Sequence, residues 1–562
     1  DAAGTEGSGD RALLTPEAGT VSYGMAEFIA AEEMSRSRGF WWSPGSDRLL
    51  AARVDDAPVR RWWIADPARP EAEPTEVAYP AAGTDNAEVT LHLVDADGGA
   101  RTEVVWDRER YPYLARVHWS DAGAPLLLVQ SRDQREARCL TVDADSGATS
   151  VVHRMADPVW IELFGGVPAW APDGSLVRIE DRDGARVLLA GERQLTPGRL
   201  HVRSVLGIGE HDVLFSASEG TGDGAARTAP GEVAVHRVPL DGGEPVRLGD
   251  GGVPQVASAV RGGETLVLVT APLDRPGAQA AVYTGGGAER VGEIPSYAET
   301  PLLAAAPRLL HTGKREIPAA VVLPTGHRDG DGPLPVLLDP YGGPHGQRVA
   351  AAHNAHLTAQ WFADQGFAVV AADGRGTPGY SPRWEKAISR DIASVVLEDQ
   401  VAALQSLAES FPLDLSRVGI RGWSFGGYLA ALAVLRRPDV FHAAVAGAPV
   451  TDWRLYDTHY TERYCGTPGA DAGVYADVSL ITDEGLSGAA SQVRPLMLIH
   501  GLADDNVVVA HTLKLSSALL AAGRPHEVLP LSGVTHMASD EVVAENLLLS
   551  QVAFLKRALG VA

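Results

Sequence analysis

The stretch Gly422-Trp423-Ser424-Phe425-Gly426-Gly427-Tyr428 constrains this chain more than any other. It follows the apolar run Val418-Gly419-Ile420 and precedes Leu429-Ala430-Ala431-Leu432-Ala433, a run of good helix formers. A β-run, then G-x-S-x-G, then a helix is the pattern of a strained turn that lifts a serine hydroxyl clear of a sheet. Gly422 and Gly426 suit that turn, because a Cβ at either place would collide with the neighbouring strand or helix.

Sequence on both sides supplies the context. Beyond about Thr300, short apolar runs such as Val336-Leu337-Leu338, Phe367 to Ala372, Ala443 to Ala446 and Leu496 to Ile499 alternate with amphipathic stretches such as Val395 to Leu407 and His511 to Ala522. Runs of this kind are buried in parallel sheets, and a doubly wound α/β sheet carries its functional groups on loops at the carboxyl ends of the strands. One such loop holds Asp504 and Asp505, and a later one holds His536. Ser424, Asp504, His536 is the chain order of an α/β-hydrolase triad. Ser424 would attack a carbonyl carbon, His536 would take and return the proton, and Asp504 would fix the imidazole tautomer. Asp505 is the competing acid, and His500 and His511 are competing histidines. His500, at a strand end before the acid loop, reads as a structural, backbone-bonded residue. Oxyanion donors are expected from the backbone N–H of Phe425 and from the Tyr341 phenol, in the loop Pro340-Tyr341-Gly342-Gly343-Pro344.

From Trp41 to about Tyr297 the pattern is different. Short alternating runs, among them Thr90 to Val94, Leu126 to Val129, Cys139 to Val142 and Val233 to Val238, are broken by Gly, Asp and Pro. Trp42-Ser43-Pro44-Gly45, Trp119-Ser120-Asp121-Ala122 and Trp170-Ala171-Pro172-Asp173-Gly174 repeat one corner, and Asp95-Ala96-Asp97-Gly98 and Asp143-Ala144-Asp145-Ser146-Gly147 repeat a second. These read as blades of a β-propeller. The Asp-rich corners read as turns rather than calcium loops, since they lack the downstream acidic ligand. Blades of roughly 40 to 50 residues allow only about five or six, so the ring is expected to be incomplete on its N-terminal side. The expected organisation is a β-propeller over 1–300, with a helix near 25–38, and an α/β-hydrolase domain over 301–562. In that helix Met25, Phe28, Ile29 and Ala31 would pack on a blade, Glu32 and Glu33 would project, and Glu32 would pair with Arg36 at i, i+4.

A formal charge of -24 and a pI near 5.1 oppose binding to nucleic acid and to anionic membranes. The two cysteines, Cys139 and Cys465, lie in different halves and suggest neither a disulfide framework nor a metal site. No apolar run approaches the roughly 20 residues of a membrane span. A soluble protein without metal or organic cofactor is expected, in the cytoplasm or secreted, with the cytoplasm favoured. The chain opens at Asp1, which suggests processing or a fragment. Lysine occurs only at Lys314, Lys386, Lys514 and Lys556 beside many Ala, Gly and Arg residues, a composition that points to a GC-rich bacterial source.

A propeller followed by a hydrolase carrying G-W-S-F-G-G-Y, D-P-Y-G-G-P and H-G-L-A-D-D-N-V resembles the prolyl oligopeptidase family of serine peptidases over essentially the whole chain. The resemblance is closest to the dipeptidyl peptidase IV branch, through Ala448-Pro449-Val450-Thr451-Asp452-Trp453-Arg454-Leu455-Tyr456-Asp457-Thr458-His459-Tyr460-Thr461-Glu462-Arg463-Tyr464. It implies a proline pocket walled by Val450, Trp453, Tyr456, Tyr460 and Val507, with Phe425. It also implies that Glu32 and Glu33 anchor the substrate's free amino terminus, that Arg463 pairs with this acidic site, and that Asn506 binds a substrate carbonyl. The implied activity is release of X-Pro, and less well X-Ala, dipeptides from peptides with a free amino terminus. Tripeptidyl, acylaminoacyl and endopeptidase activities are the alternatives within the fold, and a catalytically silent scaffold is the alternative outside enzymes. Relatives often dimerise through the last strand and helix, here around Glu527 to Leu555. Relatives also carry further propeller before the double-glutamate helix, with an arginine for the substrate carbonyl, and a leading segment on the hydrolase. Neither precedes Glu32 here, so more sequence is expected upstream of Asp1.

Overall fold

A computed structural model describes residues 12–561, apart from 100, 221–228, 250, 329, 483–485 and 487–491. The chain divides into two compact units, the first formed by Asp1–Trp62, Ala78–Arg178 and Asp457–Arg463. In it Val21–Met25, Arg38–Trp42, Arg48–Asp55, Glu88–Asp95 and Arg101–Val104 make one antiparallel sheet in chain order, and Tyr113–Ser120, Gly123–Gln130, Glu136–Val142 and Thr149–Ala156 make a four-stranded meander. Trp41, Leu50, Leu91, Leu93, Leu127 and Val129 form a shared core between these two sheets. The Asp143 carboxylate accepts from the N–H groups of Asp145 and Ser146 at 3.2 and 2.8 Å, so it closes a turn, as expected for an Asp-Gly corner.

The helix expected near 25–38 is much shorter, Phe28–Glu33. Tyr23 to Met25 belong to a strand, and Gly24 and Met25 pair with Gly39 and Arg38, so the chain leaves the sheet for one short helix and returns. β pairing has overridden a weak helix preference. Gly39 is required by this closure, since a Cβ there would stand 2.5 Å from the Met25 carbonyl oxygen. The apolar face also differs in part from the expected one. Phe28 and Ile29 pack as expected, joined by Ala30 and Met34, on Tyr113, Leu126 and Leu128, whereas Met25 is 63% exposed and Ala31 lies at the surface. Arg36 does not pair with Glu32. Ser35 takes φ 51, the helix ends before it, and the Arg36 guanidinium reaches Glu27 at 3.3 Å with both side chains buried.

The second unit comprises Trp63–Val77, Ile179–Tyr456 and Tyr464–Ala562. It contains two antiparallel four-stranded sheets, one from Leu200–Ile208 to Val246–Arg247 and one from Gln255–Gly262 to Glu289–Ile294. Across the described residues, five antiparallel sheets of four or five strands precede Arg308. From there the chain builds one eight-stranded sheet. In spatial order its strands are Arg308–Thr312, Ile317–Val322, Ala368–Ala372, Leu334–Leu338, Leu413–Trp423, Ala443–Gly447, Leu496–Gly501 and Glu527–Leu531, and only Ile317–Val322 runs against the others. The strand order reverses at Leu334–Leu338, so the loops after that strand and its neighbours open at the point where α/β sheets place their sites. Strands at the centre are buried on both faces; Val336, Leu337, Leu338, Ile420, Ala444 and Leu498 are all fully covered. Helix Glu541–Leu559 closes one face through Leu547, Val552, Leu555 and Leu559. No helix among the described residues is long and apolar enough to cross a membrane.

Candidate active site

Strand Leu413–Trp423 ends one residue before Ser424, and helix Phe425–Arg436 starts one residue after it. Ser424 therefore carries the whole change of direction. Its backbone sits at φ 57, ψ -119, a region that costs an L-residue of order 1–3 kcal/mol and persists only where surroundings over-determine it. The surroundings here are glycines. A Cβ on Gly422 would come within 2.2 Å of the Gly426 carbonyl oxygen, and one on Gly426 within 2.9 Å of the Pro340 carbonyl oxygen. The Ser424 N–H donates to Gly447 at 2.9 Å, which pins the turn to the next strand.

The acid and the histidine come from the two strands beyond. Asp504 follows strand Leu496–Gly501 and is 1% exposed. Its Oδ2 lies 2.8 Å from His536 Nδ1, and its Oδ1 accepts from the N–H groups of Asn506 and Val507 at 3.0 and 2.8 Å. Burial raises the Asp504 pKa, but hydrogen bonds from His500 and His536 outweigh that and hold the carboxyl below its usual range. Asp505, the competing acid, is exposed. The two loops are also tied by backbone, Leu502 N–H to Leu531 and Ala503 N–H to Val534. The Trp423 indole N–H donates to the His536 carbonyl at 2.7 Å, so the residue before the serine holds the histidine loop directly. His500 bonds the Val507 carbonyl at 2.6 Å, and His511 is fully buried with Nδ1 accepting from the Thr451 N–H, so both are structural.

Around the serine the aromatic residues form a continuous wall. Phe425 lies 5.9 Å from Trp453 between ring centroids, Trp453 lies 6.1 Å from Tyr456, and Tyr428 stands edge-on to Trp453 at 5.4 Å. Val450, Trp453 and Val507 are at most 2% exposed. Tyr341 stands 6.0 Å from Phe425, its ring held against Gly346, where a Cβ would approach within 2.3 Å. The Phe425 N–H is the first of the helix and has no intrahelical acceptor. Asn506 is half-buried on the acid loop. Tyr428 was not singled out by the sequence; its place on the wall follows from helical spacing after Phe425, and its phenol is anchored to the Val478 carbonyl at 2.8 Å.

The remaining expected residues lie in the first unit. Glu32 is exposed and Glu33 half-buried at the end of their helix. Tyr460, 5% exposed, follows Asp457, whose fully buried Oδ1 accepts the Tyr460 N–H at 2.9 Å. Asp457 is not among the expected site residues, and its carboxyl and that of Glu33 act on each other's protonation. Burial above all, opposed by the Tyr460 N–H and reinforced by the charge of Glu32, pushes Asp457 up to about 7. Burial first and Asp457 second push Glu33 well above the carboxylate range, with Arg463 opposing. Arg463 is held by Glu162 through two contacts of 3.0 Å, and its charge acts on Glu33. Glu462 likewise receives Arg132 at 2.7 Å. Among the described residues no group of three or more His, Cys, Asp or Glu side chains is placed to hold a metal ion.

Comparison with known proteins bears on the family and the fold. The model of the prolyl oligopeptidase family matches residues 353–562, and that of the dipeptidyl peptidase IV N-terminal region matches residues 6–269. Dipeptidyl peptidase 8 of Mus musculus is 26% identical over 92% of this chain and 68% of its own length. The venom dipeptidyl peptidase 4 of Vespa velutina is 26% identical over 92% of this chain and 71% of its own length. The crystal structure of Porphyromonas gingivalis dipeptidyl peptidase 4 superposes with a TM-score of 0.84 at 22% identity, covering 96% of this chain and 77% of that one, which establishes a common fold. With a β-propeller in its N-terminal part and an α/β-hydrolase sheet presenting Ser424 on a strained turn, the chain belongs to the dipeptidyl peptidase IV branch of the prolyl oligopeptidase family.

Proposed function

We propose that the protein is a serine exopeptidase that releases N-terminal dipeptides, X-Pro and less efficiently X-Ala, through an acyl-enzyme. The observation that carries this reading is Asp504 bonded to His536 at 2.8 Å, with His536 tied by Trp423 to the elbow that bears Ser424. The Ser424 hydroxyl attacks the carbonyl of the second residue while His536 accepts its proton, and Asp504 stabilises the imidazolium that forms. The tetrahedral oxyanion is taken by the Phe425 N–H and the Tyr341 phenol. His536 then protonates the leaving amine, and water, activated by the same imidazole, hydrolyses the acyl group. Proline offers apolar area and no amide proton, which suits the aromatic wall of Trp453 and Tyr456, with Val450, Tyr460 and Val507 completing the pocket. Glu32 and Glu33 bind the substrate ammonium, and Asn506 a substrate carbonyl. A homodimer paired through strand Glu527–Leu531 and helix Glu541–Leu559, which exposes Val542 and Leu549, belongs to the same reading.

Two chromogenic substrates test it. Gly-Pro-anilide with a free amine is expected to be cleaved, and its N-acetyl form to resist. Equal turnover of both would move the assignment to an endopeptidase, and turnover of the acetyl form alone to an acylaminoacyl peptidase. Within the same assay, Tyr341→Phe is expected to lower kcat by about 10²- to 10³-fold with little change in KM, since the lost donor serves the transition state only. A change confined to KM would remove Tyr341 from the oxyanion site.

A further inference from the structure

A cavity of about 300 Å³ lies in the second unit, and its lining shares no residue with the aromatic wall of Phe425, Tyr428, Trp453 and Tyr456. Its interior is apolar, with Val322 and Val369 from the sheet, Ala359 from helix Leu357–Asp364, and Leu547 and Leu548 from helix Glu541–Leu559. Three charged groups line the same cavity, Asp339, Arg421 and Arg348. The Asp339 side chain is 10% exposed and its Oδ2 accepts from Arg421 Nη1 at 2.8 Å. Arg421 is also held by Gln551, which its Nε reaches at 3.1 Å, and lies 4.5 Å over the Phe362 ring. The second carboxylate oxygen, Oδ1, is buried and has no hydrogen-bond partner among the described residues. Arg348 Nη2 stands 3.9 Å from it, too far for a hydrogen bond, on a side chain that is 44% exposed.

A buried carboxylate oxygen without a donor costs free energy that a bound N–H recovers. Beside it waits a guanidinium that can pair with a carboxylate, and both face an apolar space at the lower end of small-molecule pocket volumes. We propose that this cavity is a binding site for a small zwitterion with an apolar side chain, of the size of a free amino acid or dipeptide. Its ammonium donates to Asp339 Oδ1, its carboxylate pairs with Arg348, and its side chain fills the space between Val322, Ala359 and Leu547. The walls include Trp423 and Met537, the neighbours of Ser424 and His536, so occupancy bears on the contact that holds the histidine loop.

The test is calorimetric titration of L-leucine and L-leucyl-leucinamide into the intact chain, with N-acetyl-leucinamide as the uncharged control. L-leucine is expected to bind saturably, and the control not to bind. Ala544→Trp, which fills the cavity from a half-buried helix position, and Arg348→Gln, at a side chain exposed enough to be replaced without unfolding, are each expected to weaken L-leucine by about tenfold or more. Glu33→Gln, in the amine site of the proposed peptidase reaction, is expected to leave L-leucine binding unchanged. Absence of saturable binding at about 10 mM L-leucine would overturn the proposal. So would binding that is lost in Glu33→Gln but retained in Ala544→Trp and Arg348→Gln, which places the ligand in the peptidase site. A peptidase that fails to cleave Gly-Pro-anilide but binds L-leucine in this pattern leaves the cavity assignment standing, so the two readings fail separately.

Discussion

Ser424→Ala is expected to lower kcat on Gly-Pro-anilide by on the order of 10⁶-fold, with a KM within a few-fold of wild type, because the nucleophile acts only in the chemical step. The same loss is expected of His536→Ala, and the double variant should lose no more than either single one, since the pair works as one unit. Asp504→Asn is the more instructive change. The Asn506 and Val507 N–H groups bond Asp504 Oδ1, and an asparagine carbonyl oxygen accepts them equally well, so the loop keeps its shape. The amide nitrogen then faces His536 Nδ1 and donates to it, which forces the proton to the wrong ring nitrogen and costs on the order of 10⁴-fold in kcat. Ser424→Gly should be as inactive as Ser424→Ala yet more stable by about 1 kcal/mol, because glycine relieves a backbone held at φ 57. Thermal melting and single-turnover kinetics on the same samples check both claims. A Ser424→Ala enzyme with wild-type turnover would remove the serine from the mechanism.

The proposed catalytic groups are legible in sequence because each is a local event. The turn at Ser424 needs glycines at fixed offsets, and the loops bearing Asp504 and His536 follow unmistakable apolar strands. Between Asp504 and Asp505 sequence has no means to choose; the His536 contact, burial and the Asn506 and Val507 N–H groups favour Asp504 in the proposed triad. The proposed amine site is legible only in part. Glu32 and Glu33 stood out as a doublet, but the extent of their helix was misjudged, because Gly24 and Gly39 pair in a ladder that no helical periodicity reveals. Arg36 was assigned by i, i+4 spacing and went to Glu27 once Ser35 turned the chain. Asp457 stayed hidden for a similar reason: its partner Glu33 is distant in sequence, and nothing in the residue type distinguishes a buried carboxyl from a solvated one.

That hidden partner gives the amine site a pH dependence of its own. Burial raises the carboxyls of both Glu33 and Asp457, so the pair takes up a proton as pH falls through the Asp457 value of about 7. An arriving ammonium needs the ionised form and must displace that proton. Because the carboxyl pKa is raised, to about 7 for Asp457, the ionised fraction grows as pH rises through that value, and peptide affinity grows with it. The rise ends when the peptide amine loses its own proton at about pH 8. Binding of a Gly-Pro peptide to the Ser424→Ala enzyme, where no turnover intervenes, is therefore expected to be weaker at pH 6 than at pH 7.5. At pH 6, titrations in two buffers of different ionisation enthalpy should differ by the heat of up to about one released proton per peptide. Asp457→Asn offers Glu33 an amide donor in place of a competing acid, which lets Glu33 ionise at lower pH. The difference between buffers should then shrink and the affinity at pH 6 should rise, whereas Glu33→Gln should lose affinity by about tenfold or more across the range. Equal heats in both buffers together with a pH-independent affinity would show that the ammonium does not displace this proton and that Glu33 does not receive it.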